Sequence, residues 1–188
     1  KKKYKILILD NLSSGKKSFI NKKSKFIKVD LLNYNFLNKK IFKYKISHII
    51  HLASNIDVTE SEIYPKKYLN DNVKMTKNIL KFAIKYKIEN FIFSSTAAVY
   101  GKSNKTKVNE KDQLKPISNY GLGKLICENL IINEYKNNNI KYTILRYGSI
   151  YGPRSNLNNG LLKIVFDGVK RKKLIYRGTK KAVRSYIH

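Results

Sequence analysis

Short apolar runs alternating with segments of helical period constrain this chain more than any other feature. The runs are Lys5–Leu9 (KILIL), Phe26–Asp30 (FIKVD), His48–Ala53 (HIIHLA), Asn90–Ser95 (NFIFSS) and Lys141–Arg146 (KYTILR). Each has the length of a strand and little polar alternation, as in a sheet covered on both faces. Between them, Tyr68–Lys85 places Met75, Ile79, Leu80 and Ala83 at helical spacing, and Tyr120–Tyr135 does so with Leu122, Leu125, Ile126, Leu130 and Ile131. A last helix is predicted from about Gly160 to Val169. Such alternation predicts an α/β fold, a doubly wound parallel sheet with helices on both faces. Lys102–Lys107 and Asn137–Asn139 read as solvated loops.

The 188 residues suffice for one domain with a core, and a hydrophobic content of 42% argues against disorder. The single cysteine, Cys127, excludes an internal disulfide and a thiolate metal cluster, and no metal is expected. One cysteine fits a reducing cytoplasm. Apolar runs such as Ile6–Leu9 are too short to span a membrane, and nothing at the start of the chain reads as a signal peptide.

The net charge of +28 raises the question of nucleic acid. Clustering decides it. Lysines are spread along the whole chain, and arginine occurs only at Arg146, Arg154, Arg171, Arg177 and Arg184. Lys, Asn, Ile, Tyr and Phe dominate the composition, and all five can be coded by AT-rich triplets. No specific nucleic-acid partner is expected. Binding should be weak, salt-sensitive and independent of sequence. Tight binding to one sequence at physiological salt, measured by fluorescence anisotropy, is the result that would contradict this.

Three constellations carry chemistry. Asp10-Asn11-Leu12-Ser13-Ser14-Gly15 follows a strand. An acidic residue at such a strand end can bond the ribose hydroxyls of a dinucleotide, and a carboxylate there favours NAD over its 2′-phosphorylated form. Asp10 can equally close a turn. Tyr120-Gly121-Leu122-Gly123-Lys124 opens a helix, so Tyr120 and Lys124 share a face. An ammonium beside a phenol lowers the phenol pKa, which predicts Tyr120 as a base near neutral pH. The strand ending in Ser94-Ser95-Thr96 places hydroxyls where open α/β sheets bind ligands. Each is weak alone, since the chain has 14 tyrosines and serine-rich turns are common.

Together, Asp10–Gly15 (DNLSSG), His51-Leu52-Ala53, Ser94–Gly101 (SSTAAVYG), Ser118–Lys124 (SNYGLGK) and Arg146–Arg154 (RYGSIYGPR) occur in an order and spacing that resembles the extended short-chain dehydrogenase/reductase family. The resemblance covers nearly the whole chain. It implies a Rossmann-like fold, NAD as cofactor, and a nucleotide-sugar 4-epimerase of the UDP-glucose/UDP-galactose type acting by transient oxidation at C4. It implies cofactor contacts from Asp10, Asn11, Ser14 and Gly15, from Asp30 and Leu31 at the adenine, and from Leu52, Ala53 and Ser54. Further contacts are implied from Asn72, Ser94, Tyr120, Lys124 and Tyr147. Tyr120 becomes the base, Lys124 the ribose holder and Thr96 the partner of the reacting sugar oxygen. Ser149 and Arg184 join Thr96 and Tyr120 at the substrate. A homodimer is implied for the intact parent.

Departures from the family pattern touch the substrate side: Ser149 stands for a usual Asn, Ser185 for a usual Asp, and Ile56 for a polar or basic residue. Sugar 4,6-dehydratases of the family carry an Asp and a Glu directly after the Thr. Here these positions are Ala97 and Ala98, which cannot transfer protons. Another dehydratase, decarboxylase or reductase of the family stays open, as does a non-catalytic remnant. A glycine-rich dinucleotide turn normally lies about 20 residues before the acid. Only nine residues precede Asp10, and the first glycine is Gly15. The chain therefore reads as truncated at both ends, lacking the first strand and glycine loop. Residues 1–155 read as a partial NAD-binding domain and 156–188 as the start of a substrate region. These residues alone are expected neither to bind NAD usefully nor to turn over.

Overall fold

The computed structural model describes residues 4–103, 105, 107–138, 140–154, 160–174 and 186–188. Two compact units are present, Lys1–Leu145 and Arg146–His188.

In the first unit, β1 (Leu7–Asp10) pairs in parallel with β2 (Lys25–Lys28), Leu7 opposite Lys25 and Asp10 opposite Lys28. Their connection holds only a 3-10 turn, Lys17–Phe19. Helix α1 (Tyr34–Ile41) follows, its first turn capped by Asn33 Oδ1, which accepts the Phe36 N–H at 3.0 Å. The chain then forms β3 (His48–His51), α2 (Val58–Ile63) and α3 (Pro65–Lys85), whose first position is the proline that helix starts tolerate. Strand β4 (Asn90–Thr96) runs parallel to β3, with His48 opposite Asn90. Helix α4 (Asn119–Asn138) leads to β5 (Lys141–Tyr147) on the far side of β4.

Strands β1 and β2 form one sheet, and β3, β4 and β5 form another with β4 central. The sequence places the strands ending at Asp10 and Ala53 on either side of a break. The structure agrees, since among the described residues β1 and β3 lie in separate sheets. The Tyr4 and His48 rings meet edge-on across this division, 6.2 Å between centroids. Parallel pairing with helical crossovers is the predicted α/β class.

The core lies between β4 and helices α3 and α4. Phe91 and Phe93 point from one face of β4 into a cluster with Met75, Ile79, Phe82, Cys127 and Ile131. On α3 the predicted apolar stripe is buried as expected. On α4 it is buried only in part: Ile131 is in the core and Leu125, Ile126 and Leu130 are half-buried, but Leu122 is 40% exposed, and the rest of the buried stripe is Gly121, Gly123, Lys124, Cys127 and Glu128. That face holds two ionisable residues because it meets the end of β4, where polar partners await them.

The second unit holds β6 (Ser149–Ile150), α5 (Gly160–Arg171) and β7 (Tyr186–Ile187), with β6 and β7 parallel. Among the described residues no helix is long and apolar enough to cross a membrane.

Candidate active site

The end of β4 and the start of α4 bring the predicted catalytic residues together. Ser118 Oγ accepts the Gly121 N–H at 3.1 Å and so caps the first turn of α4. Glu62 from α2 holds the same helix end, accepting from Asn119 N at 2.9 Å and from Asn119 Nδ2 at 2.8 Å. Gly121 allows the approach. A Cβ there would lie 2.9 Å from the Ala98 carbonyl oxygen and 3.1 Å from Pro116 Cβ. Tyr120 is thereby held beside Thr96, whose hydroxyl acts to lower the phenol pKa. The Thr96 Oγ1 atom also accepts the Ala98 N–H at 3.2 Å, which starts the 3-10 turn Ala97–Tyr100.

Lys124 sits one turn along, 3% exposed. Its ammonium donates to the Ser94 carbonyl at 2.9 Å and lies 4.9 Å from the Phe93 ring centre. Burial pulls its pKa down to about 8. Its distance to the Tyr120 ring centre is 5.9 Å. The expected activation of Tyr120 by Lys124 is not found in this chain. Burial raises the Tyr120 pKa above its ordinary 10, opposed only by the Thr96 hydroxyl. The first physical reason is burial of the phenol, and the Lys124 ammonium spends a hydrogen bond on the Ser94 carbonyl.

Asp10 and Asn11 close β1. Asp10 Oδ1 accepts the Leu12 N–H at 2.6 Å, and Asn11 Oδ1 accepts the Ser13 N–H at 2.9 Å. A Cβ on Gly15 would fall 2.9 Å from Asp10 Oδ2, so no larger residue fits beside that carboxylate without a shift. Ser14 is exposed in the same turn. Asp30 follows β2 and accepts the Leu32 N–H at 2.9 Å. A cleft of about 180 Å³ opens beside these strand ends, lined among others by Asn11, Ser13, Asp30, Leu32 and Asn55. A carboxylate, a small residue and a cleft at strand ends fit the adenosine end of a dinucleotide. Leu31 points into the core, 8% exposed, and its carbonyl accepts from Asn78 Nδ2 at 2.7 Å.

Leu52 and Ala53 are exposed after β3, and Ser54 is half-buried. Asn72 from α3 uses its whole amide on the next residue: it accepts from Asn55 N at 2.8 Å and donates to Asn55 O at 3.1 Å. It therefore shapes the loop after β3 from behind. Tyr147 and Ser149 belong to the second unit, half-buried. Arg184 lies outside the described residues.

The whole chain, residues 1–188, matches the model of the NAD dependent epimerase/dehydratase family. This chain belongs to that family. It is 34% identical over 189 residues to a candidate UDP-glucose 4-epimerase of Methanocaldococcus jannaschii, covering 98% of this chain and 62% of the relative. The UDP-glucose 4-epimerase of Thermotoga maritima, solved with UDP-glucose, superposes with a TM-score of 0.90 at 29% identity, over 98% of this chain and 61% of that one. The Thermus thermophilus UDP-glucose 4-epimerase, solved with NAD, gives 0.87 at 26% identity, over 96% and 61%. The chain thus spans about three-fifths of the length of these relatives.

Several contacts around this site join residues that no local sequence pattern links. Gly121 and Glu62 place the α4 start. Beside Tyr120 and Lys124, Ser95 donates to the Glu128 carboxyl, and both are buried. His51 at the end of β3 is 3% exposed and bonds Thr76 Oγ1 at 3.1 Å. The pairs Ser95–Glu128 and His51–Thr76 are 33 and 25 residues apart, too far for any local pattern to join them. Among the described residues no group of His, Cys, Asp and Glu could hold a metal ion.

Proposed function

We propose that this chain is the cofactor-binding and catalytic part of a NAD-dependent nucleotide-sugar 4-epimerase of the UDP-glucose/UDP-galactose type. The observation that carries this reading is Thr96 at the end of β4 beside Tyr120 at the start of α4, followed at once by two residues, Ala97 and Ala98, that cannot transfer protons. A site with one base and no second acid suits oxidation and reduction at a single carbon, not elimination of water.

Asp10 and Asn11 would hold the adenosine ribose, with Ser14, Gly15, Asp30 and Leu31 around it. Leu52, Ala53 and Ser54 would line the middle of the cofactor, on a loop that Asn72 fixes. Ser94, Lys124 and Tyr147 would lie at the nicotinamide end. NAD, when bound, supplies the acceptor and then the donor of hydride at C4, together with a positive ring. Thr96 holds the sugar 4-oxygen, and Tyr120 removes its proton and later returns one. The Lys124 ammonium, desolvated and close to pKa 8, is ready to bond ribose hydroxyls. Ser149 and Arg184 would contact the sugar nucleotide. A cytoplasmic location fits the single cysteine and the proposed substrate class, and a homodimer is the expected assembly.

The test uses the full-length protein with UDP-galactose and NAD, and product analysis by NMR. UDP-glucose should form with no loss of water and no net reduction of NAD. A dehydrated 4-keto sugar or stoichiometric reduction would overturn the assignment.

A further inference from the structure

We propose that Glu128 is a positioning residue: fixed to Ser95, it locks α4 to the end of β4 in the one register that seats Lys124 on Ser94 and Tyr120 on Thr96. The inference rests on the catalytic reading of Tyr120 given above.

Tyr120, Lys124 and Glu128 are four residues apart and form one stripe along α4. Facing them are three consecutive residues of β4. The Ser94 carbonyl takes the Lys124 ammonium at 2.9 Å, the Ser95 hydroxyl donates to Glu128 Oε1, and Thr96 lies beside Tyr120. Each helix residue has its own strand residue.

Burial argues that this third point is more than filler. Glu128 is fully buried, and Ser95 is 4% exposed. A carboxyl in such a place costs free energy unless its hydrogen bonds are met. A leucine or methionine would pack against the neighbouring Cys127 and Ile131 without that cost. What the polar pair adds is choice of register. Ser95 is buried in line with Phe91 and Phe93, while Ser94 and Thr96 are half-buried. A slip of one residue would reverse this pattern. Serines at both 94 and 95 leave the strand end ambiguous to an apolar helix face. A carboxyl that must meet a hydroxyl removes the ambiguity. Eight residues of helix put Glu128 about 12 Å from Tyr120, so a small tilt at one end moves the other. Gly121 and Glu62 fix the near end, and Glu128 fixes the far one.

Four variants of the full-length protein test this: Ser95→Ala, Glu128→Ala, Glu128→Gln and the double Ser95→Ala/Glu128→Ala. Ser95→Ala and Glu128→Ala should each lower kcat about tenfold or more with KM for the sugar nucleotide little changed. Glu128→Gln still accepts from Ser95 and should recover most of kcat. The double variant should be no worse than Glu128→Ala, since one interaction is lost once. A second readout needs no turnover. Cys127 is the sole cysteine, and its rate of reaction with an aromatic disulfide should rise in both alanine variants and stay near wild type in Glu128→Gln. Ser95→Ala removes a single hydroxyl, so it reports even where Glu128→Ala does not fold. Wild-type kcat in Ser95→Ala, or failure of Glu128→Gln to recover kcat, would overturn the proposal. Tyr120→Phe serves as the control. If it keeps full turnover, the catalytic reading fails, and the Cys127 rates alone decide whether Glu128 locks the helix.

Discussion

Replacing Tyr120 by Phe is expected to reduce kcat of the full-length protein by about 10²- to 10⁴-fold, the usual contribution of a positioned acid–base group. The ring is half-buried between the α4 start and Thr96, so Phe keeps the packing and loses only the hydroxyl. Calorimetry should find that NAD still binds, because the Asp10 turn and the cleft beside it lie at other strand ends. The pH profile adds a second signature. Burial holds the phenol above its ordinary pKa of 10, and Thr96 pulls it back only in part. The base form is therefore scarce at neutral pH before ligands add their charge, and the wild-type rate should climb toward alkaline pH. That climb should vanish in Tyr120→Phe. A variant with full turnover and an unchanged profile would remove Tyr120 from the chemistry.

Much of this site could be read from residue order. A helix start carrying Tyr120 and Lys124 after a strand ending in Thr96 can be inferred because strand ends and helix faces are local properties. The depth of each side chain cannot. Apolar spacing on α4 pointed to Leu122, yet the core took Lys124 and Glu128, whose partners come from β4. Polar residues default to the surface, and only a partner distant in sequence reverses that default. Helix α1 escaped for a different reason: its eight residues bury only Leu37 and Ile41, too few to show a period. Activation of Tyr120 failed as an inference because spacing reports which face a lysine shares, not where its ammonium points. Here it points to the Ser94 carbonyl.

The acid stability of the chain is expected to depend on His51. Its ring lies in the core between aromatic neighbours, 6.0 Å from the Phe91 ring centre and 5.6 Å from that of Phe93. The Thr76 hydroxyl donates to the Asn72 carbonyl at 2.9 Å, which leaves its oxygen to accept from the His51 Nε2–H at 3.1 Å. Burial, and then the Lys124 charge, push the His51 pKa from 6.5 down to about 3. Cys127 faces the same Thr76 oxygen at 3.3 Å, and burial raises its pKa, so it adds no charge under acid. Between pH 6.5 and 3 the unfolded chain thus binds a proton at this site that the folded chain refuses. Stability from the neutral ring is present above the unfolded pKa and is lost as pH falls. The loss between pH 7 and pH 4 should be on the order of 3 kcal/mol. His51→Gln keeps an N–H for Thr76 and cannot titrate. Urea unfolding of both proteins at the two pH values isolates the effect, because every other titrating group is common to them. Wild type should lose that much more stability than His51→Gln on going to pH 4. Equal losses in the two proteins would mean that His51 is not held neutral by the fold.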